Sequence, residues 1–139
     1  MTQALLDPEL ELRWRVIAHR YLDDYALADK DLLQVIRFDP SNVLALNQLG
    51  LLAEDVKKDD NLAVSFYRRA ADLKYAVCIV NLAALYREGR GVPKNSVLAF
   101  KLLASAAEAG YSSAYSPLGV MYAKGEGTLL IQRKHLPTL

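Results

Sequence analysis

The amino-acid sequence predicts an all-α fold, a right-handed α-α superhelix of about three and a half helical hairpins. Three observations lead to this fold class. A Tyr followed three residues later by Gly-x-Gly occurs twice, at Tyr86 and at Tyr122, 36 residues apart. Apolar residues recur at helical spacing around both motifs, and small residues return at equivalent positions. A period of this length is typical of stacked helical repeats.

Length and composition indicate one soluble domain. The chain has 139 residues, of which 53% are hydrophobic and 24% charged, which is enough for an ordinary core. A single cysteine cannot form an internal disulfide bond, and the Cys and His residues do not follow a zinc-binding pattern. The N-terminus does not resemble a signal peptide, and charges interrupt every apolar run. We expect a cytoplasmic protein without a membrane span, a metal or a cofactor.

The charge distribution is uneven although the net charge is only +1. Residues 1–61 contain seven Lys and Arg against twelve Asp and Glu, whereas residues 62–139 contain ten against four. The small net charge argues against a general nucleic-acid binder. The asymmetry has two interpretations, a solvated surface or an electrostatic contribution to partner orientation or head-to-tail self-association.

Two helices are predicted in the N-terminal segment. Pro8 occupies the favourable first position of a helix over about 8–22, with Asp7 as its cap. A second helix is expected over about 25–37. The apolar pattern of the first helix consists of Trp14, Ile17, Ala18 and Tyr21, and that of the second of Ala28, Leu32 and Val35.

The next four helices form two further hairpins. They are expected over about 42–55 and 60–73, and over about 75–88 and 95–109. Their apolar residues recur at helical spacing. Examples are Leu46, Leu49 and Leu52, then Phe66, Tyr67 and Ala70, then Ile79, Leu82, Leu85 and Tyr86, and finally Leu102, Leu103 and Ala106.

The Gly-x-Gly motif is explained by a reversal of the chain. Gly89 suits the left-handed position that ends a helix, Gly91 permits a second bend, and Pro93 prevents the helix from continuing. Asn95 is then expected to cap the next helix, as is Asp59 one repeat earlier. The motif lacks a preceding strand and the spacing of a phosphate-binding loop, which argues against nucleotide binding.

Small residues at equivalent positions indicate where two helices approach closely. Cys78 belongs to one such set, so we expect a buried, inert thiol. The three sets are Ala45, Cys78 and Ala114; Gly50, Ala83 and Gly119; and Ala63 and Ala99.

A seventh helix is expected over about 112–124, and its partner is replaced by a divergent tail. Pro117 requires this helix to begin late, near Ser116, or to lose a hydrogen bond. The tail, residues 128–139, contains Leu129, Leu130 and Ile131. These residues have three open interpretations: a makeshift cap of the solenoid, a site of self-association or docking on another molecule, or a disordered or non-native end.

ALNQLGLLAE at 45–54 and the more specific run from Asn81 to Gly127 resemble Sel1-like repeats, in which a helix ending in Tyr is followed by GxGV, a polar cap and a helix ending in paired alanines. The resemblance covers about residues 43–127. FDPSN at 38–42 looks like a junction between tetratricopeptide repeats, a related fold. The resemblance implies one domain over 1–127. Its parts are a degenerate tetratricopeptide-like hairpin at 7–42, two Sel1-like repeats at 43–74 and 75–110, and an incomplete one at 111–127. The tail at 128–139 follows the domain.

This resemblance also implies a peptide-binding groove lined by the first helix of each hairpin. The mixture of small, apolar and polar residues suits a peptide, but it does not reproduce the Lys, Asn and Arg set with which some tetratricopeptide domains bind a terminal carboxylate. The implied groove residues are Arg15, His19, Asn47, Leu51, Glu54, Val80, Ala84, Arg87, Ser116 and Val120.

The sequence offers no catalytic set, because His19 and His135 are far apart and the carboxylates are scattered. We therefore expect a non-catalytic adaptor or scaffold that binds a protein or peptide, as a monomer or weak homodimer, without nucleic acid or membrane. The alternative is a cytoplasmic chaperone for a secreted or assembling protein, which acts as a homodimer.

Overall fold

The computed structural model describes residues 8–127, without the side chains of residues 8–15 and of His19. The described part consists of helices and connecting loops and contains no strand. Six α-helices and one short 3₁₀-helix follow one another: α1 (Pro8–Phe38), α2 (Val43–Asp55), α3 (Asp60–Asp72), α4 (Ala76–Glu88), α5 (Ser96–Glu108), the 3₁₀-helix (Ser112–Ala114) and α6 (Tyr115–Lys124).

The helices from α2 onward pair and stack in chain order. Helix α2 packs on α3, α4 packs on α5, and α3 joins the two hairpins by packing on α4. Each of these four helices has 13 residues. This arrangement confirms the predicted all-α superhelix of hairpins.

The prediction of a hairpin at 7–42 is wrong. Helices were expected over 8–22 and 25–37, but α1 is one continuous helix of 31 residues. The segment between the expected helices, LDDY, contains neither Gly nor Pro. Because the αR conformation costs these residues little, nothing in the local sequence forces the chain to turn. The expected cap, Asp7, lies outside the described residues.

The core runs through the two hairpins, and most of the residues at the predicted small positions lie in it. Ala45, Cys78 and Ala114 are all buried, as are Ala63 and Ala99. Gly50 lies directly under the ring of Tyr67, so that no Cβ would fit there. At the equivalent position of the next hairpin, Ala83 is also fully buried. Gly119 differs, because it is exposed and no described residue packs on it.

Polar caps begin the helices as predicted. The side chain of Asp59 accepts a hydrogen bond from the backbone N–H of Leu62 at 3.1 Å, and Asn95 accepts one from Leu98 at 3.0 Å. Asn42 caps α2 in the same way. These bonds satisfy N–H groups that a helix leaves without an intrahelical partner.

The two glycines of each loop have different roles. Gly89 and Gly125 end α4 and α6 in the left-handed conformation, each with a φ of 71°. Gly91 also has a positive φ, and its Cα lies against the backbone of Asp60 at the start of α3. Gly127 lies in the same way on the backbone of Ser96 at the start of α5. The loop of one repeat therefore contacts the hairpin before it.

Helix α6 begins late, as Pro117 requires. The chain first forms the 3₁₀-helix and then enters α6 at Tyr115, so Pro117 is its third residue. The first turn of an α-helix needs no intrahelical N–H donor, and the proline therefore causes no loss of a hydrogen bond.

Candidate functional site

Helices α2, α4 and α6 are the first helices of successive repeats and present equivalent side chains. We call this surface the first-helix face. Its accessible residues are spaced three or four apart along each helix and are mostly apolar or small. They are Leu44, Gln48 and Leu51 on α2, Val77, Val80 and Ala84 on α4, and Ser116, Val120 and Ala123 on α6.

A side-chain amide pair joins α2 to α4 beside this face. Asn47 is buried, and its Oδ1 accepts a hydrogen bond from Nδ2 of Asn81 at 3.0 Å. The same oxygen accepts from Sγ of Cys78 at 3.4 Å. The Nδ2 of Asn47 and the Oδ1 of Asn81 form no hydrogen bond with another described side chain or backbone group. The pair thus retains unused amide N–H groups and an unused acceptor, the Oδ1 of Asn81.

The thiol of Cys78 is buried, as the sequence predicts. Burial raises the pKa of this thiol to about 12, because the thiolate would lose its hydration. At neutral pH the group is therefore a protonated donor to Asn47 and a poor nucleophile.

Glu54, predicted as a groove residue, connects two repeats. Its Oε1 accepts a hydrogen bond from the hydroxyl of Tyr67 at 2.9 Å, and its Oε2 lies 3.1 Å from Nη2 of Arg90. Burial and this hydrogen bond raise the pKa of Tyr67 well above its ordinary value. Arg90 also binds Asp60, at 3.1 Å from its Oδ1. The guanidinium therefore ties the loop after α4 to both helices of the preceding hairpin.

Arg87, also a predicted groove residue, forms the corresponding link at the next junction. Its Nε donates to Oε2 of Glu126 at 2.9 Å, and its Nη2 donates to Oε1 at 3.4 Å. The two hydrogen bonds from Arg87 lower the pKa of Glu126, and the pKa of Arg87 is raised by the same contact.

The other predicted groove residues have varied positions. Leu51 and Val80 are half-buried, whereas Ala84, Ser116 and Val120 are exposed on the first-helix face. Arg15 and His19 lie in the N-terminal half of α1, where the expected first hairpin is absent and their side chains are not described. Leu129, Leu130 and Ile131 lie outside the described residues.

Sequence reasoning missed Asn81, Arg90 and Glu126 as partners of the predicted residues. A signal was present for the last two, since Arg90 and Glu126 are equivalent in the 36-residue alignment and carry opposite charges. Their counterparts Glu54 and Arg87 are equivalent at an offset of 33 residues, and again the charges are opposite. When the charges at two positions are both reversed from one repeat to the next, the two positions are expected to be in contact.

A concavity of about 310 Å³ lies between α3, α4 and α5. Its floor includes Ile79 and Leu82, and its rim includes Arg68 and Ser105. Arg68 donates a hydrogen bond to the hydroxyl of Tyr86 across this opening, at 2.6 Å. None of the residues that line this concavity belongs to the first-helix face.

Within residues 8–127, no three His, Cys, Asp or Glu side chains lie close enough together to hold a metal ion. None of the helices in this part of the chain has the length and apolar character needed to cross a membrane.

Comparison with known proteins agrees with this geometry. Residues 43–75 and 76–111 match the Sel1 repeat family. Among solved structures, a Sel1 repeat protein from Oxalobacter formigenes superposes with a TM-score of 0.60 and 28% identity, over 73% of this chain and 48% of that one. A protective antigen present in uropathogenic Escherichia coli strains, which displays an SLR fold, superposes with a TM-score of 0.63 and 30% identity, over 71% of this chain and 21% of that one. A comparison with curated proteins gave no match.

Stacked helical hairpins, each contacted by the loop of the next repeat, define a helical-repeat protein of the solenoid class. More narrowly, the chain is a Sel1-like repeat protein of the tetratricopeptide-like superfamily, with two Sel1 repeats between residues 43 and 111. It spans about half of the first solved relative and about a fifth of the second. Sel1 repeats are generally protein–protein interaction modules.

Proposed function

We propose that this chain binds an extended protein or peptide segment on the first-helix face, without chemical turnover. The observation that carries the proposal is the combination of open small and apolar side chains with the Asn47–Asn81 pair. Leu44 is 65% exposed and Ala84 is exposed, so both are accessible to a ligand. The interaction role of Sel1 repeats supports this function.

The amide pair is suited to a peptide backbone. An extended segment presents N–H and C=O groups at each residue, and the pair offers an acceptor and N–H donors to match them. The contact between Asn47 and Asn81 fixes the orientation of both amides before a ligand arrives. Such preorganisation reduces the entropy that binding must overcome.

The surrounding charges indicate the type of segment. Glu54 and Arg87 stand at the C-terminal ends of α2 and α4, and each is already paired with an opposite charge. The residues of the first-helix face are apolar, small or uncharged. We therefore propose a ligand with small apolar side chains and little charge.

The test is a selection of displayed peptides on the immobilised protein, followed by affinity measurements with labelled peptides. Ala84→Arg would place a long charged side chain on the first-helix face and should weaken binding at least about 10-fold, or about 1.4 kcal/mol. Ser105→Arg adds the same side chain on the rim of the concavity between α3, α4 and α5 and should leave the affinity for the peptide unchanged. Both residues are exposed, so both variants should fold.

Two results would contradict the proposal. One is a selected peptide that binds the Ala84→Arg variant as tightly as the original protein. The other is a loss of binding with Ser105→Arg alone, which would assign the peptide to the concavity between α3, α4 and α5.

A further inference from the structure

Helix α1 is much longer than the helix on which it packs. Its 31 residues extend about 46 Å, whereas the 13 residues of α2 extend about 20 Å. On α1, Tyr25 and Leu32 are half-buried and Ile36 is buried, at the spacing of one helix face. N-terminal to Tyr25, every described side chain from Val16 to Asp24 is exposed. Helix α2 therefore covers only the C-terminal half of α1.

Uncovered apolar side chains are concentrated on this helix. Of the fourteen large hydrophobic residues that are exposed in the described part, eight belong to α1. Tyr21 and Leu22 are 55% and 53% exposed although they directly precede the packed half. An exposed apolar surface of this extent on one element is a feature of interaction sites.

A stripe along α1 leads into a cavity beside α2. The stripe, which we call the α1 seam, consists of Ala18, Leu22, Ala26, Asp29 and Leu33, spaced three or four residues apart. The cavity has a volume of about 200 Å³, and three seam residues line it together with Leu52, Val56 and Lys57. The seam is thus continuous with the interface between α1 and α2.

One buried polar atom in this cavity has no partner among the described residues. Asp29 binds Nζ of Lys57 through Oδ2 at 2.9 Å, but its Oδ1 is buried and forms no hydrogen bond within the part of the chain that the structure describes. A buried carboxylate oxygen without a donor is costly, and a group from outside the described chain would remove that cost.

We propose that a second copy of this chain covers the α1 seam, with the two α1 helices antiparallel and their two-fold axis near Leu22. The N-terminal half of each α1 then lies beside the cavity of the other copy. The sequence predicted that residues 8–22 form a helix that packs on residues 25–37. The two halves of a continuous helix cannot pack on each other, but a second copy can supply the same packing, as in domain swapping.

The charges along α1 favour the antiparallel direction. Residues 13–20 contain three Arg and no acidic residue, whereas residues 24–31 contain three Asp and one Lys. With the axis near Leu22, the basic segment of one copy lies opposite the acidic segment of the other. A parallel pair would place like charges together. The register also sets Ala18 opposite Ala26, where small side chains permit close approach, and Arg15 opposite Asp29.

The experiment measures the mass of the full chain by sedimentation between about 1 and 100 μM, and the original protein should be a dimer within this range. Ala26→Arg introduces a charge into the seam and should raise the dimer dissociation constant at least about 100-fold, because a symmetric interface buries the charge twice. Gln34→Arg, on α1 but outside the seam, makes the same change of charge and should leave the dimer intact.

A cysteine placed on the axis tests the register independently. Leu22→Cys should form a disulfide bond between two copies on mild oxidation, whereas Gln34→Cys should not, and the native Cys78 is buried in both. A monomer at every concentration overturns the proposal. So does a dimer that survives Ala26→Arg in folded form, or equal crosslinking of the two cysteine variants. Should Ala26→Arg unfold the chain, the crosslinking comparison decides alone.

Discussion

Glu54 and Arg87 occupy equivalent positions in successive repeats, and each forms an ion pair of opposite polarity with the loop of the following repeat. Oε2 of Glu54 lies 3.1 Å from Nη2 of Arg90, and Nε of Arg87 lies 2.9 Å from Oε2 of Glu126. Exchange of the two loops would set Glu against Glu and Arg against Arg. Each loop therefore matches only its own neighbouring repeat.

The carboxylate of Glu54 should contribute more to stability than its ion pair alone. Glu54→Ala removes the acceptor of the buried Tyr67 hydroxyl, which is expected to lower the free energy of unfolding by about 1–3 kcal/mol. Urea denaturation followed by circular dichroism measures this loss. Glu54→Gln is the control, because its amide oxygen still accepts from Tyr67. Equal losses in the two variants would show that the hydrogen bond has no role.

The ion pair of Arg87 and Glu126 should give stability that depends on pH. Hydrogen bonds from Arg87 lower the pKa of Glu126 in the folded state. The contribution is therefore present above the ordinary pKa of a glutamate and is lost as pH falls through the lowered pKa of the folded protein. Because both groups are near the surface, the effect should be small and should weaken with salt.

The measurement compares thermal unfolding of the original protein and Glu126→Gln between pH 7 and acid. The difference in melting temperature should be present at neutral pH and should disappear in acid. A difference that persists unchanged at low pH would contradict the assignment of the shift to this ion pair.

Gly91 and Gly125 provide a matched pair for the close contact between a loop and the preceding hairpin. Both have a φ of 71°, so Ala at either position costs about 1 kcal/mol for the left-handed conformation. At Gly91, an added Cβ would also lie 2.5 Å from the backbone of Asp60, whereas at Gly125 no atom of the described residues lies within 4 Å of it. Gly91→Ala should therefore lower the free energy of unfolding by about 1–3 kcal/mol more than Gly125→Ala in urea titrations. Equal losses of unfolding free energy in the two variants would contradict the close contact between Gly91 and Asp60.

Cys78 should be unreactive in the folded protein. Because burial raises its pKa to about 12, labelling by a thiol reagent at pH 8 should be at least about 1000-fold slower than in guanidinium, where the chain is unfolded. The raised pKa also favours the folded state below the ordinary thiol pKa, and this stability is lost as pH rises towards 12. Rapid labelling of the native protein would show that α4 opens frequently.

The sequence is most informative where local chemistry and repetition coincide. Gly89 and Asn95 were predicted in the roles that they have, because a helix end demands a left-handed residue and a helix start demands a polar acceptor. Cys78 was predicted to be buried because it shares a position with two alanines. These predictions need only one residue and its equivalents.

Prediction failed where the structure depends on distant partners or on weak local preference. The choice between a hairpin and a continuous α1 depends on whether residues 22–25 turn, and these residues tolerate a helix well. The role of Asn47 depends on a donor 34 residues away. Helical periodicity places Asn47 near the correct face, but it does not reveal that Asn81 and Cys78 already bind its oxygen.

The position of Gly91 on the start of α3 has a consequence for how the array melts. Since the loop after α4 lies on the edge of the earlier hairpin, that hairpin cannot lose its first turn of α3 without releasing the loop. Arg90 strengthens this overlap through Asp60 at the same helix start. Amide protons of α3 and of the loop should consequently exchange with solvent in one concerted opening, which makes the cooperative unit larger than a single hairpin.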